Sequence, residues 1–134
     1  MDRIFLDANS LFSAAYMPAG GLKRLWLLAR EGKAELLSST YAVEEARRNL
    51  SAEAQTRNLL KLLRQVTVSA SSMTECRQVE AADLPEKDRP ILQAAIDMKA
   101  THLLTGDVTH FGHLYGMTIE GVTILTPAEY LKGR

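Results

Sequence analysis

The sequence predicts an α/β fold, a three-layer α/β/α sandwich around a central, mostly parallel sheet. Three observations carry that expectation. Short apolar runs alternate along the chain with stretches whose apolar residues recur at helical spacing. Two of the runs, Ile4-Phe5-Leu6 and His102-Leu103-Leu104-Thr105-Gly106, read as strands buried on both faces. Each of these two runs leads into an aspartate, Asp7 and Asp107. In open α/β sheets the ligand crevice lies beyond the carboxyl ends of the strands, so both carboxylates are expected to face a ligand and not the core.

The elements follow in order. Arg3 to Leu6 forms the first strand and Ala8 to Tyr16 a short helix, ended by Met17-Pro18-Ala19-Gly20-Gly21. Leu22, Leu25, Trp26, Leu28 and Ala29 recur at helical spacing up to Gly32, with Trp26 expected as a core anchor. Ala34 to Leu37 is a second strand. Ser38, Ser39 and Thr40 offer N-caps for a helix through Tyr41, Ala42, Glu45 and Leu50. A helix from about Ala52 to Arg64 precedes a third strand at Val66-Thr67-Val68. Ser69 to Lys87 reads as loop with one helical turn near Arg77 to Ala81. Asp88 then caps a helix with Arg89-Pro90 in its first turn and Ile91, Leu92, Ala94, Ala95 and Met98 on its buried face. After the strand at His102 to Thr105 come a helical segment near Phe111 to Tyr115, a strand at Val122 to Leu125 and a last helix from Pro127.

The chain has 134 residues, which suits one domain over 1–134 with a sizeable core. Its longest apolar stretches fall far short of a membrane span, and Asp2, Arg3 and Asp7 break any signal-like start, so a cytoplasmic protein is expected. A single cysteine, Cys76, excludes an internal disulfide and has no partners at metal-ligand spacing. The net charge of zero hides an asymmetry: residues 1–66 hold ten Lys and Arg against seven Asp and Glu, and residues 67–134 hold six against nine. That pattern suits a modest anion-binding rim and excludes a strongly basic nucleic-acid binder.

Two further acids, Glu45 and Asp88, stand near the starts of amphipathic helices between Asp7 and Asp107. Several carboxylates in one crevice repel one another unless a cation balances them, which points to a hard divalent ion, Mg²⁺ or Mn²⁺. Asn9 and Ser10 beside Asp7, and Thr105 beside Asp107, supply polar support. Glu44 and Glu45 are rotated about 100° apart on a helix, so one of them at most enters the site. Glu45 shares the face of Tyr41 and Ala42, whereas Glu44 turns toward Arg47 and Arg48.

These motifs resemble the PIN-domain family, a ribonuclease fold that includes the toxins of VapC-type toxin–antitoxin pairs. The resemblance rests on Phe5-Leu6-Asp7-Ala8-Asn9-Ser10-Leu11, on Ser38 to Leu50, on Lys87-Asp88-Arg89-Pro90-Ile91-Leu92-Gln93-Ala94-Ala95, and on Leu103-Leu104-Thr105-Gly106-Asp107-Val108-Thr109-His110-Phe111. The closing Val122 to Leu131 is similar to the family's last strand and helix. The resemblance implies Asp7, Glu45, Asp88 and Asp107 as metal-ligating catalytic acids and Ser10 and Thr105 as supporting hydroxyls. It implies one or two Mg²⁺ or Mn²⁺ ions and hydrolysis of RNA by metal-activated water, leaving a 5′-phosphate and a 3′-hydroxyl. Asp107 and Asp88 are then candidate acceptors of the water's proton. It further implies an antitoxin partner and a homodimer, for which Leu22, Leu25, Trp26 and the leucines of 59–63 are candidate contacts. His110 and His113 are expected to pack or hydrogen-bond and not to ligate. Two rivals stand beside this reading. A haloacid-dehalogenase-type phosphatase also begins with an aspartate after its first strand, but needs a second aspartate where Asn9 stands. A PIN-like RNA-binding or interaction module without catalysis is the non-enzymatic alternative.

Overall fold

Ile4, Phe5 and Leu6 are three consecutive apolar residues, and all three are fully buried in β1 (Asp2–Leu6). Neighbouring side chains on a strand point to opposite faces, so this burial requires cover on both sides of the sheet. The same holds for β2 (Ala34–Ser39) and β4 (His102–Leu104), where Leu36-Leu37 and Leu103-Leu104 are buried in succession. β3 (Val66–Ser69), β5 (Thr118–Ile119) and β6 (Val122–Leu125) complete a six-stranded sheet of order β3-β2-β1-β4-β6-β5. Every pairing is parallel except β5 with β6. These features come from a computed structural model that describes residues 1–70, 79 and 82–132. The helical turn expected near Arg77 to Ala81 lies, apart from buried Val79, outside the described residues, as does Cys76.

The layers above and below the sheet are helical. They comprise α1 (Ala8–Tyr16), α2 (Lys23–Arg30), α3 (Thr40–Asn49), α4 (Glu53–Leu63), α5 (Arg89–Asp97), α6 (Val108–Phe111) and α7 (Pro127–Leu131). α1 packs on α3 and α4, while α2 and α5 pack on β2. Trp26 is buried as expected, and its indole Nε1 donates to the Leu62 carbonyl at 3.0 Å, tying α2 to α4. Leu25 and Leu59 are buried in the core, whereas Leu60 is exposed. Each buried Leu, Ile or Phe in this core contributes about 1.5–3 kcal/mol over an exposed one. Among the described residues, no helix is long and apolar enough to cross a membrane.

Three details depart from the sequence reading. The helical segment expected near Phe111 to Tyr115 starts earlier, as α6 (Val108–Phe111), because Asp107 caps it, and continues as a 3₁₀ turn at Gly112–Leu114. β2 runs on to Ser39, two residues past the expected end, because a hydroxyl can live inside a sheet when its donor is used: Ser38 Oγ donates to the Leu6 carbonyl at 2.9 Å. β5 was not expected. Glu120 and Gly121 both adopt positive φ, 49° and 83°, which makes the tight turn that folds Thr118-Ile119 back against Thr123-Val122.

The order of strands reverses at β1, which pairs with β2 on one side and β4 on the other. Such a switch point opens a crevice at the carboxyl ends of the two central strands. Asp7 follows β1 there, and Thr105-Gly106-Asp107 follows β4; the Asp7 N–H donates to the Leu104 carbonyl at 3.3 Å across the gap.

Candidate metal centre

Asp7 leaves β1 in extended geometry and caps α1, with Oδ1 accepting from the Ala8 N–H at 2.6 Å. Its other oxygen, Oδ2, accepts from the Thr105 hydroxyl at 2.7 Å. Asp7 is 6% exposed, and burial pushes its carboxyl up to about 6. The nearby Glu45 and Asp88 carboxylates push the same way, while the Thr105 and Ala8 hydrogen bonds pull it back.

Thr105 is the node that joins the two strand ends. Its Oγ1 donates to Asp7 and accepts from the Asp107 N–H at 3.1 Å. Asn9 Nδ2 approaches the same oxygen at 3.4 Å, and Asn9 Oδ1 accepts from the Gly106 N–H at 3.1 Å. Ser10 Oγ donates to the Leu104 carbonyl at 3.1 Å. Asn9, Ser10 and Thr105 therefore hold the ends of β1 and β4 in register.

Glu45 is carried by α3, whose N-cap Ser39 accepts from the Ala42 N–H at 3.2 Å and whose Ala42 and Ala46 are buried. On that phase Glu45 is half-buried and lines the crevice. Glu44 is exposed and sits 3.6 Å from Arg47 Nη1.

Asp88 closes a 3₁₀ turn, Glu86–Asp88, at the head of α5, where Pro90 fits the first helical turn. Sequence reasoning expected it to cap that helix; the structure places it at the cap position, yet its side chain makes no capping hydrogen bond. Its backbone is already αR there, so the carboxylate is free to turn into the crevice. The Tyr41 hydroxyl donates to the Lys87 carbonyl at 2.6 Å and fixes this segment against α3. Asp88 is 8% exposed, and its Oδ2 is buried without a hydrogen bond. Burial raises its pKa, Asp107 adds to the rise, and His110 and Lys87 oppose it.

Asp107 caps α6 through Oδ1, which accepts from the His110 N–H at 3.2 Å. Its Oδ2 lies 2.8 Å from His110 Nδ1, which is also 3.0 Å from Asp88 Oδ2. A ring nitrogen carries one hydrogen, so Nδ1 satisfies one carboxylate and leaves the other, which is why Asp88 Oδ2 stays unpartnered despite the short distance. His110 is thus the residue whose place in the acid cluster the sequence reading did not anticipate. Its signal was the Asp-x-x-His spacing at a helix start, which puts both side chains on one face. His113, by contrast, contacts the Ala82 carbonyl through Nε2 at 2.7 Å.

Asp7, Glu45, Asp88 and Asp107 all line one cavity of about 420 Å³, together with Asn9 and Lys87. Among the described residues, the tightest group of ligand atoms is that of Asp88, Asp107 and His110, all within 4.8 Å of one another. Four carboxylates facing one lysine, with a buried oxygen left without a donor, are chemically suited to a hard divalent cation.

The PIN domain family matches the chain over residues 3–109. A chain in the crystal structure of VapBC2 from Rickettsia felis bound to a DNA fragment from their promoter is similar, at 16% identity and a TM-score of 0.68, over 92% of this chain and 98% of that one. At that identity the likeness is one of fold. No curated protein sequence matches the chain. Because the family match covers residues 3–109, most of the chain, and spans both strand-end aspartates and the intervening acid-bearing helices, the chain belongs to the PIN-domain family.

Proposed function

We propose that this protein is a metal-dependent ribonuclease, with Asp7, Glu45, Asp88 and Asp107 holding Mg²⁺ or Mn²⁺ and RNA as substrate. The observation that carries the reading is the buried, donorless Asp88 Oδ2 in a cavity that gathers three further carboxylates. A divalent ion bound there supplies positive charge that polarises a phosphodiester and acidifies water.

The chain's own residues do the rest. Thr105 orients the Asp7 carboxylate from one side and anchors the Asp107 backbone from the other, so both acids enter the cavity at a fixed separation. Lys87, on the cavity wall, offers a cation to an incoming phosphate and offsets the acids around it. Tyr41 holds the Lys87-Asp88 backbone in place, which keeps the phosphate anchor and the acid together. Burial raises the proton affinity of Asp7 and Asp88, so protons and a cation compete for these carboxylates.

The VapBC2 assembly of the structural neighbour supports a further part of the proposal, that the protein is the toxin of a toxin–antitoxin pair; that it works as a homodimer in the cytoplasm is proposed from the family resemblance alone. Calorimetric titration with Mn²⁺ tests the metal reading: heat of binding that is lost in Asp88→Asn is expected, and wild-type protein that takes up no Mn²⁺ at millimolar concentration would overturn it.

A further inference from the structure

We propose that His110 is a nitrogen ligand of the ion held by Asp88 and Asp107, and that the centre therefore favours Mn²⁺ over Mg²⁺. The inference rests on the metal reading above and adds a ligand to it. His110 Nδ1 lies 2.8 Å from Asp107 Oδ2 and 3.0 Å from Asp88 Oδ2. Those are the spacings of neighbouring ligands in an octahedral shell, about 3.0 Å apart when each bond is about 2.1 Å. As a hydrogen-bonded triad the arrangement is incomplete, because the single Nδ1 proton leaves Asp88 Oδ2 buried and unpaired. As part of a ligand set it is well used, with one donor atom from each of Asp88, Asp107 and His110 within 4.8 Å of the other two.

The ring is also held there by the backbone. Asp107 Oδ1 accepts the His110 N–H at 3.2 Å, so the acid that shares the cluster fixes the turn of helix from which the imidazole projects. The nitrogen changes which ion is favoured. Mg²⁺ binds hard oxygen donors and parts with water reluctantly, whereas imidazole suits first-row transition ions and Mn²⁺ accepts both donor types. Asp7 and Glu45 add oxygen donors on the same cavity wall without joining the tight group.

The test is pulsed electron paramagnetic resonance of the wild-type protein loaded with Mn²⁺, read for ¹⁴N coupling from a directly bound imidazole. Coupling is expected in wild type, retained in His113→Gln and lost in His110→Gln, and the Mn²⁺-over-Mg²⁺ affinity ratio is expected to fall about tenfold or more in His110→Gln. Bound Mn²⁺ without nitrogen coupling in wild type overturns the inference and leaves the metal reading standing. No bound Mn²⁺ in wild type overturns both. Should His110→Gln fold poorly, the wild-type spectrum and His113→Gln still decide the question.

Discussion

Asp7→Asn is expected to make the metal-free protein more stable at neutral pH while destroying its affinity for metal. Burial raises the Asp7 carboxyl from 3.8 to about 6. Each tenfold in proton affinity is about 1.4 kcal/mol, so ionised Asp7 costs the folded state about 3 kcal/mol above pH 6. The folded state binds this proton more tightly than the unfolded chain, so the native state gains stability as pH falls through 6 and holds the full gain below 3.8. Asparagine removes the cost at every pH. Its Oδ1 still accepts from Ala8 N–H, but its amide must now donate toward Thr105 Oγ1, which has to turn its own proton elsewhere. Allowing about 1–2 kcal/mol for that rearrangement leaves a net gain of about 1–2 kcal/mol, or a few degrees in Tm. Thermal melts of both proteins in EDTA between pH 5 and pH 8 measure it. The variant should melt higher at pH 8, the gap should shrink or reverse toward pH 5, and millimolar Mn²⁺ should raise Tm for wild type alone. A gap that stays constant with pH, or a variant less stable at pH 8, would refute the reasoning that burial strains Asp7.

Other outcomes follow from the same geometry. Glu45→Gln should reduce Mn²⁺-dependent RNA cleavage by orders of magnitude, and Glu44→Gln, an exposed group beside Arg47, should change it little; the reverse ranking in a cleavage assay would show that the other face of α3 serves the site. Thr105→Val strands Asp7 Oδ2 and removes the acceptor of the Asp107 N–H, so denaturant unfolding should show a loss of about 1–3 kcal/mol. Unfolding identical to wild type would mean that the hydroxyl is not the joint between β1 and β4.

Asp7 and Asp107 were legible because a buried parallel strand is an unbroken apolar run, and the residue that ends it stands at the rim of the crevice. Glu45 was legible from helix phase, since it shares the face of Tyr41 and Ala42, and Ala42 is on the buried side of α3. Asp88 was legible as a helix start, but its failure to cap depends on the preceding 3₁₀ turn, which the sequence does not announce. β5 escaped notice because two residues carry no periodicity and the turn is built from Glu120-Gly121 instead of an Asn-Gly or Asp-Gly pair. The Thr105 node and the position of His110 between two acids are products of tertiary structure: they join residues 7, 88, 105, 107 and 110, whose meeting depends on the order of the strands.

Cleavage of single-stranded RNA by the purified chain tests the central claim most directly, read as product ends with Mn²⁺ present and after EDTA. Products bearing 5′-phosphates are expected to appear with Mn²⁺, vanish in EDTA, and fail to appear with Asp88→Asn. Cleavage that persists in EDTA, or in Asp88→Asn at the wild-type rate, or intact RNA after incubation with Mn²⁺-loaded wild type, would contradict it.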